Sequence, residues 1–396
     1  MAPLGEAARV AAVRVGSARD MGPWGKRDDM LVHRRDPFNA EPPRHALARR
    51  PLTGCESFYS RNHGPVPRID ARAWRLRVDG LVDRPLTLSL GDLRERFAER
   101  EILATVQCAG NRRAGLLEVR DIPGEDPWGP CAISTARWTG VLLADVLAAA
   151  GVRPGARHVA FAAPDVSPLA DPPQPFGGSI PLVKATSGEV LLAWGMDGRP
   201  LPDVHGAPLR MIVPGWIGAR SVKWLERVTA QADPSGNYFQ AVAYRILPPD
   251  ADPTRTGPGA GISLGPVAVT CAILAPDGGT PLPPGPTEIT GYAYAGEDRT
   301  VARLDVSLDG GRTWTQAELD PPPSPWTWQE WRITVDLPGG DTVVTARAWD
   351  STGMTQPESP AALWNPKGYA NNSWDRVRLT TTGSPPAPGP TGPGDQ

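Results

Sequence analysis

The sequence predicts an α+β domain over residues 51–250, followed by an all-β sandwich of immunoglobulin type over residues 251–380. In the first region, short runs with β character, such as residues 74–78, alternate with helical stretches such as residues 140–150. A Pro- and Asp-rich segment, residues 247–253, marks the boundary. Beyond it, short alternating strands follow one another with turn residues between them, which is typical of a β-sandwich.

The second region contains a clear hairpin signal. Residues 301–308 alternate between apolar and polar side chains, Asp309-Gly310-Gly311 supplies a tight turn, and residues 312–315 return along the first run. Units of this kind recur through the region, and they favour the immunoglobulin-type sandwich.

The two ends of the chain differ from the middle in composition. Residues 1–50 are rich in Arg, Ala and Pro, and they predict a loosely ordered N-terminal arm. Residues 381–396 are nearly all Pro, Gly, Ser and Thr, and they predict a disordered tail.

Charge and cysteine usage narrow the class of protein. Lys and Arg total 41 against 43 for Asp and Glu, so net charge favours neither a nucleic-acid nor a membrane partner. No apolar run approaches the roughly 18 to 20 residues of a spanning helix, and no export signal is evident. The 4 cysteines are widely spaced and lack a C-x-x-C pair, which favours a reducing compartment. We therefore expect a cytoplasmic protein.

Cys108 is the most informative residue. It ends the apolar run Ala-Thr-Val-Gln and is followed closely by Gly110, Asn111, Arg112 and Arg113. A thiol at the end of a buried strand with cations nearby is expected to have a lowered pKa, and to serve as a thiolate ligand or nucleophile. The alternative is a buried cysteine that acts as a small hydrophobic residue.

Other polar clusters lie where a plain core would not place them. Residues 58–67 combine an arginine, an amide and an imidazole in a loop bounded by Gly and Pro. Residues 203–214 and 218–225 contain His, Arg, Ser and Lys among glycines. Such loops suit a phosphorylated ligand, because backbone amides and fixed cations can approach its oxygens closely.

Together these segments resemble a known family. In order and at similar spacing, six segments are similar to the sulfite oxidase family of molybdopterin enzymes, which includes the molybdenum domain of nitrate reductase; the bacterial members lack the cytochrome b5 domain. The segments are residues 58–67, 105–113, 133–141, 201–214, 218–225 and 364–369. The resemblance implies a molybdenum–molybdopterin cofactor.

The resemblance also implies roles for individual residues. Cys108 would bind the molybdenum, for which a soft thiolate is a suitable ligand. The residues that would hold the pterin and its phosphate are Tyr59, Ser60, Arg61, Asn62, His63, Asp165, His205, Arg210, Ser221, Val222 and Lys223.

By the same resemblance, the substrate pocket is cationic and binds a small anion. Arg61 and Arg113 match its arginines, Trp128 its tryptophan, and Tyr244 a tyrosine beside the reacting centre. Lys367 stands where animal sulfite oxidases have arginine and nitrate reductases have an apolar residue. Lysine keeps the positive charge but lacks the planar, two-pronged donor, so the resemblance leaves the true substrate open.

The implied activity is oxidation of sulfite to sulfate by oxygen-atom transfer. The sequence lacks the haem, flavin and iron–sulfur signatures that would carry electrons onward, so an external acceptor is expected. A homodimer through the C-terminal domain is implied as well. Two alternatives remain: a reductase acting on nitrate or on an S- or N-oxide, and a cofactor-free thiol hydrolase using Cys108, His205 and Asp165.

Overall fold

The computed structural model describes residues 22–382. Most of the predicted tail, residues 383–396, and the first part of the predicted arm, residues 1–21, lie outside the described residues. Within residues 22–382, no helix has the length and apolar character needed to span a lipid bilayer.

The N-terminal segment is built into the molecule. Strands β1 (Leu31–Arg34) and β2 (Asn39–Glu41) pair in an antiparallel manner, and the short helix α1 (Arg44–Leu47) follows. Every residue of β2 is buried. The prediction of a loosely ordered arm is therefore wrong for residues 22–50, because β2 packs its side chains into the first domain.

The first domain consists mainly of two sheets with short helices on them, and its last strand pairs with the first strand of the second domain. Its strands are β3 (Leu76–Gly80), β4 (Leu86–Leu88), β5 (Glu99–Gln107), β6 (Ile133–Leu142), β7 (His158–Ser167), β8 (Gln174–Pro181), β9 (Leu191–Met196), β10 (Arg199–Pro200), β11 (Arg210–Ile212), β12 (Arg227–Gln231) and β13 (Arg245–Ile246). Its helices are α2 (Leu90–Arg96), α3 (Arg113–Leu117), α4 (Leu143–Ala150) and α5 (Leu182–Ala185). Single helical turns occur at Asp203–His205, Gly218–Arg220 and Phe239–Ala243, the last of them a π-helical turn.

One sheet has the strand order β10-β9-β6-β5, with β11 also on β9, and the other has the order β4-β3-β12-β7-β8. Strand β12 is parallel to β3 and antiparallel to β7, so the second sheet is mixed. The helix predicted from residue 140 begins at Leu143, because Gly140 and Leu142 pair with β9 and extend β6. The helix ends at Ala150, and the next residue, Gly151, caps it in the left-handed region with a φ of 72°.

The second domain consists of antiparallel strands. They are β14 (Ile262–Ser263), β15 (Thr270–Ala275), β16 (Gly285–Tyr294), β17 (Val301–Ser307), β18 (Thr315–Gln316), β19 (Glu318–Leu319), β20 (Gln329–Leu337), β21 (Gly340–Asp350) and β22 (Asp375–Thr381). Strands β15-β16-β20-β19 form one sheet and β18-β17-β21-β22 the other. Both contribute to one hydrophobic core, which contains Cys271, Ile289, Leu304 and Val344. The predicted hairpin is present as β17 and β18.

The two domains are joined at the loop that follows Cys108. Arg112 donates hydrogen bonds to the carbonyls of Ser373 at 2.6 Å and Trp374 at 3.0 Å. Its guanidinium also lies 3.3 Å from a carboxylate oxygen of Asp375, which pairs at 3.0 Å with Arg44. The second domain therefore fixes the position of the loop that carries the candidate ligand.

Candidate active site

A cavity opens in the first domain, close to this loop. Cys108 and Tyr244 lie on its wall. So do all the residues predicted to bind the cofactor, namely Tyr59, Ser60, Arg61, Asn62, His63, Asp165, His205, Arg210, Ser221, Val222 and Lys223. Segments that are far apart in the chain therefore meet around one cavity.

Cys108 lies directly after β5 and is 7% exposed. Its amide donates to the carbonyl of Ala132 at 2.9 Å, which fixes the backbone at the cavity wall. Burial raises the pKa of the thiol, while the charges of Arg113 and Arg61 act in the opposite direction. The predicted lowering of the pKa is therefore wrong for the free thiol, because desolvation outweighs the nearby cations.

The loop at residues 58–63 is held by the N-terminal strand β2. Ser60 and Ala40 exchange backbone hydrogen bonds of 2.8 and 3.0 Å, and the amide of Asn62 donates to Oδ1 of Asn39 at 2.7 Å. Strand β2 thus serves as the scaffold for this side of the cavity.

Lys26 is a residue of this site that the sequence analysis missed. Its side chain is buried, and Nζ lies 2.6 Å from the carbonyl of Cys55, 2.8 Å from that of Phe58 and 2.5 Å from Nε2 of His205. Burial lowers the pKa of Lys26 to about 8. Burial, followed by the charge of Lys26, holds the pKa of His205 well below its usual value, so this imidazole is neutral and accepts from the ammonium.

A second buried histidine lies at the other side of the cavity. Nε2 of His63 and the hydroxyl of Tyr244 share a hydrogen bond of 2.6 Å, and the imidazole stacks on Phe176. Burial lowers the pKa of His63 well below its ordinary value and raises the pKa of Tyr244. Both groups are therefore uncharged at neutral pH, and the phenol keeps its proton.

Cations and unpaired polar atoms line the rest of the wall. Arg210 donates to the carbonyls of His205 and Ser221 at 3.0 and 3.2 Å, but its Nε has no partner among the described residues. Oγ of Ser60 and Oδ1 of Asp165 are also buried without a partner in the described part of the chain. Burial raises the pKa of Asp165 to about 7, against the charge of Lys223.

These features fit the cofactor that the resemblance implies. Arg61 and Arg210 give the cavity positive charge, which suits a phosphorylated ligand. Burial holds the pKa of Lys223 well below its ordinary value, and an anionic ligand would favour its charged form. The unpaired donors and acceptors are groups whose burial costs free energy until a ligand pairs with them. The thiol of Cys108 is a soft donor of the kind that would bind molybdenum.

Three predicted residues do not lie on the cavity wall. Arg113 is 2% exposed and donates to the carbonyls of Gly368 and Asp126 at 3.0 and 2.9 Å. Trp128 is fully buried, and its indole nitrogen has no partner among the described residues.

Lys367, the third, donates from Nζ to the carbonyl of Val242 at 3.1 Å, and its own carbonyl accepts from Arg113 at 3.3 Å. Arg113 and Lys367 thus lie together at the domain boundary.

The geometry does not support a thiol hydrolase. Among the described residues no hydrogen bond joins Cys108 to His205, and Nε2 of His205 already accepts from Lys26. A neutral imidazole held in this way is not placed to take the thiol proton.

The cavity and the domain order define a molybdopterin-dependent oxidoreductase. Residues 63–239 match the family model for the oxidoreductase molybdopterin binding domain, and residues 264–382 match that for the Mo-co oxidoreductase dimerisation domain. The chain belongs to the sulfite oxidase family, it is an enzyme, and its cofactor is molybdenum–molybdopterin. The family predicted from the six sequence segments is therefore confirmed.

Individual relatives agree with this assignment. The chain is 44% identical to sulfite oxidase from Gallus gallus over 361 residues, which cover 88% of this chain and 77% of that one. It is 37% identical to sulfite oxidase from Arabidopsis thaliana, covering 88% of this chain and 93% of the relative. It is 40% identical to mitochondrial sulfite oxidase from Homo sapiens over 88% of this chain, but spans only 65% of that protein's length.

A solved structure is similar along nearly the whole chain. The sulfane dehydrogenase SoxCD from Paracoccus pantotrophus superposes with a TM-score of 0.75 and 27% identity, covering 94% of this chain and 96% of that one. The arrangement of the two domains is therefore shared with a solved protein.

Proposed function

We propose that this enzyme oxidises sulfite to sulfate and passes the two electrons to an external acceptor. The observation that carries the proposal is the convergence of Cys108, Arg61 and Tyr244 on one cation-lined cavity in a member of the sulfite oxidase family. Sulfite gains an oxygen atom that derives from water, and two protons are released. The acceptor is a separate molecule.

When bound, the molybdenum–molybdopterin group supplies the two-electron oxygen-atom transfer chemistry. Cys108 would bind the metal, and the cations Arg210 and Lys223 would neutralise the phosphate of the pterin. The unpaired Oγ of Ser60 and Nε of Arg210 would donate hydrogen bonds to the cofactor's polar atoms.

The substrate would lie between the cavity and the domain boundary. Arg61 and Arg113 would hold and orient the anion, since a buried anion needs paired positive charge. Tyr244, whose proton is retained, would donate a hydrogen bond to an oxygen atom as negative charge develops on it. Trp128 and Lys367 would complete the pocket, the indole through its unpaired N–H group.

We also propose that the second domain is an immunoglobulin-type sandwich through which two copies of the chain associate. Its support is the two antiparallel sheets with a common core and the match to a dimerisation domain. Cytoplasmic location belongs to the same proposal, and the four free thiols support it. Light scattering on purified protein measures the assembly directly, and a monomer at micromolar concentration would contradict it.

The deciding experiment for the activity combines metal analysis with turnover. Protein purified from cells that make the cofactor should contain molybdenum and reduce an artificial acceptor such as ferricyanide only when sulfite is added. Molybdenum-free protein that still turns over sulfite, or loaded protein that does not, would overturn the proposal.

A parallel anaerobic assay tests the reductase alternative. Reduced viologen is offered with nitrate or an S-oxide, and faster turnover in this direction than with sulfite would favour a reductase. Lys367 keeps this alternative relevant, because the predicted pocket has a lysine where animal sulfite oxidases have an arginine.

A further inference from the structure

The carboxylate of Glu125 forms an ion pair with Arg113, one of the residues predicted to bind the anion. Oε2 of Glu125 lies 3.0 Å from NH2 of Arg113, in the loop between α3 and β6. The side chain of Arg113 is 2% exposed, whereas that of Glu125 is 29% exposed. The arginine is therefore fixed inside the protein, and the acid reaches it from the solvent side.

Arg113 does not depend on Glu125 for its position. Its guanidinium donates to the carbonyls of Gly368, Asp126 and Lys367. It also lies between two glycines, because a Cβ atom at Gly110 or at Gly368 would come within 2.6 or 2.7 Å of its side-chain nitrogens. Three backbone acceptors and this close packing hold the guanidinium without the ion pair.

The charge of Glu125 extends to the rest of the predicted pocket. Burial lowers the pKa of Lys367, and the carboxylate of Glu125 acts against this effect. One acid thus stands near the two cations, Arg113 and Lys367, that the domain boundary brings together.

We propose that Glu125 is a competing carboxylate: it occupies the place on Arg113 where a substrate oxyanion binds, and the anion must displace it. The inference rests on the proposed function and deepens it by naming what sets the affinity for the anion. Because the carboxylate is partly exposed, it can turn toward solvent without opening the core. Two carboxylate or oxyanion charges cannot share one guanidinium face without strong repulsion.

The test compares Glu125→Gln with Glu118→Gln in the loaded enzyme. Both variants lose one negative charge from the same part of the chain, but Glu118 is exposed and forms no ion pair among the described residues. For Glu125→Gln we expect the apparent KM for sulfite to fall by about fivefold, which corresponds to loss of a partly exposed ion pair. Glu118→Gln should leave KM unchanged, which separates competition at Arg113 from a general change in surface charge.

Sulfate binding by titration calorimetry gives a second readout that needs no turnover. We expect sulfate to bind about fivefold more tightly to Glu125→Gln than to the wild type. An unchanged or weaker affinity, together with an unchanged or higher KM, would overturn the inference. Tighter sulfate binding in a protein that does not oxidise sulfite would sink the proposed function and leave the role of Glu125 standing.

If Glu125→Gln incorporates too little cofactor to be measured, a second variant that keeps the negative charge provides the test. Glu125→Asp shortens the side chain by one methylene, so its carboxylate reaches Arg113 less well. Its sulfate affinity should lie between those of the wild type and Glu125→Gln. Sulfate affinity at or below the wild-type value in Glu125→Asp would count against displacement.

Discussion

The ammonium of Lys26 lies 2.5 Å from Nε2 of His205, so a residue of the N-terminal segment fixes a histidine on the wall of the cofactor cavity. We expect Lys26→Met to reduce retention of the cofactor about tenfold. The substitution leaves the carbonyls of Cys55 and Phe58 without their buried donor and frees the imidazole to rotate. Molybdenum and pterin content per chain measure the effect.

Lys184→Met is the matched control for this change. Lys184 is also largely buried and pairs with Glu189, but it does not contribute to the cavity wall. Equal cofactor content in the two variants would mean that Lys26 acts only on general stability.

Replacing the candidate ligand should separate folding from activity. Cys108→Ser should abolish sulfite turnover while the protein keeps its unfolding temperature, because a hydroxyl has a similar size but is a poorer ligand for a soft metal. Cys55→Ser, whose thiol is not on the cavity wall, should remain active. Full activity of Cys108→Ser would remove this sulfur from the metal.

Asp165 predicts a pH dependence of stability in the cofactor-free protein. Its pKa is about 7 in the folded state against an ordinary value of 3.8, so the folded state holds a proton that the unfolded state has released. This contribution to stability, on the order of 4 kcal/mol, is complete below about pH 4 and is lost as the pH rises to about 7.

Asp165→Asn should flatten that dependence. Urea unfolding of both cofactor-free proteins at pH 5 and at pH 7.5 checks the sign. The prediction fails if the free energy of unfolding changes by the same amount in the wild type and in the variant between these two pH values. That result would show that Asp165 is already ionised at pH 5.

The domain boundary should be sensitive to one buried acid. Asp375 accepts from Arg44 and Arg112 at 3.0 and 3.3 Å. Asp375→Asn should lower the free energy of unfolding by about 3 kcal/mol, because the buried Arg112 and the partly buried Arg44 lose their counter-charge. Asp341→Asn removes an exposed carboxylate that lies 3.6 Å from Arg378, and it should have little effect. Comparable losses in the two variants would contradict a special role for the buried cluster.

Much of the site could be predicted because its residues lie in a few short segments of the chain. The residues around Cys108, His63, His205 and Lys223 each lie in a loop whose Gly, Ser and cationic residues are recognisable along the chain. Their convergence on one cavity required no more than the order and spacing of those loops. The residues alone indicated a phosphorylated ligand, and only the resemblance to a family identified that ligand as the molybdenum–molybdopterin cofactor.

The contacts that escaped prediction join distant parts of the chain. Lys26 and His205 are 179 positions apart, and nothing in the Arg- and Pro-rich composition of the N-terminal segment indicates a buried lysine. Glu41 is similar: its carboxylate is buried and accepts from the amide of Cys131 at 2.9 Å. Polar residues of this kind look solvated in a sequence, because their partners exist only once the domain has formed.

The raised pKa of Cys108 escaped prediction for a related reason. The neighbouring arginines are visible in the sequence, but the degree of burial is a property of the assembled cavity. A prediction from the neighbouring charges alone therefore gave the wrong direction for the pKa shift of Cys108.

The wedging of Arg113 between Gly110 and Gly368 has a consequence for how such enzymes diversify. Arg113, which we propose to bind the anion, belongs to the first domain, but two of the carbonyls that hold its guanidinium belong to the second. We therefore expect that replacing the C-terminal half with that of a relative would change how this guanidinium is held, and with it the preference for the anion. On this proposal, hybrids that join the two domains of different relatives are a direct way to vary the substrates that such enzymes accept.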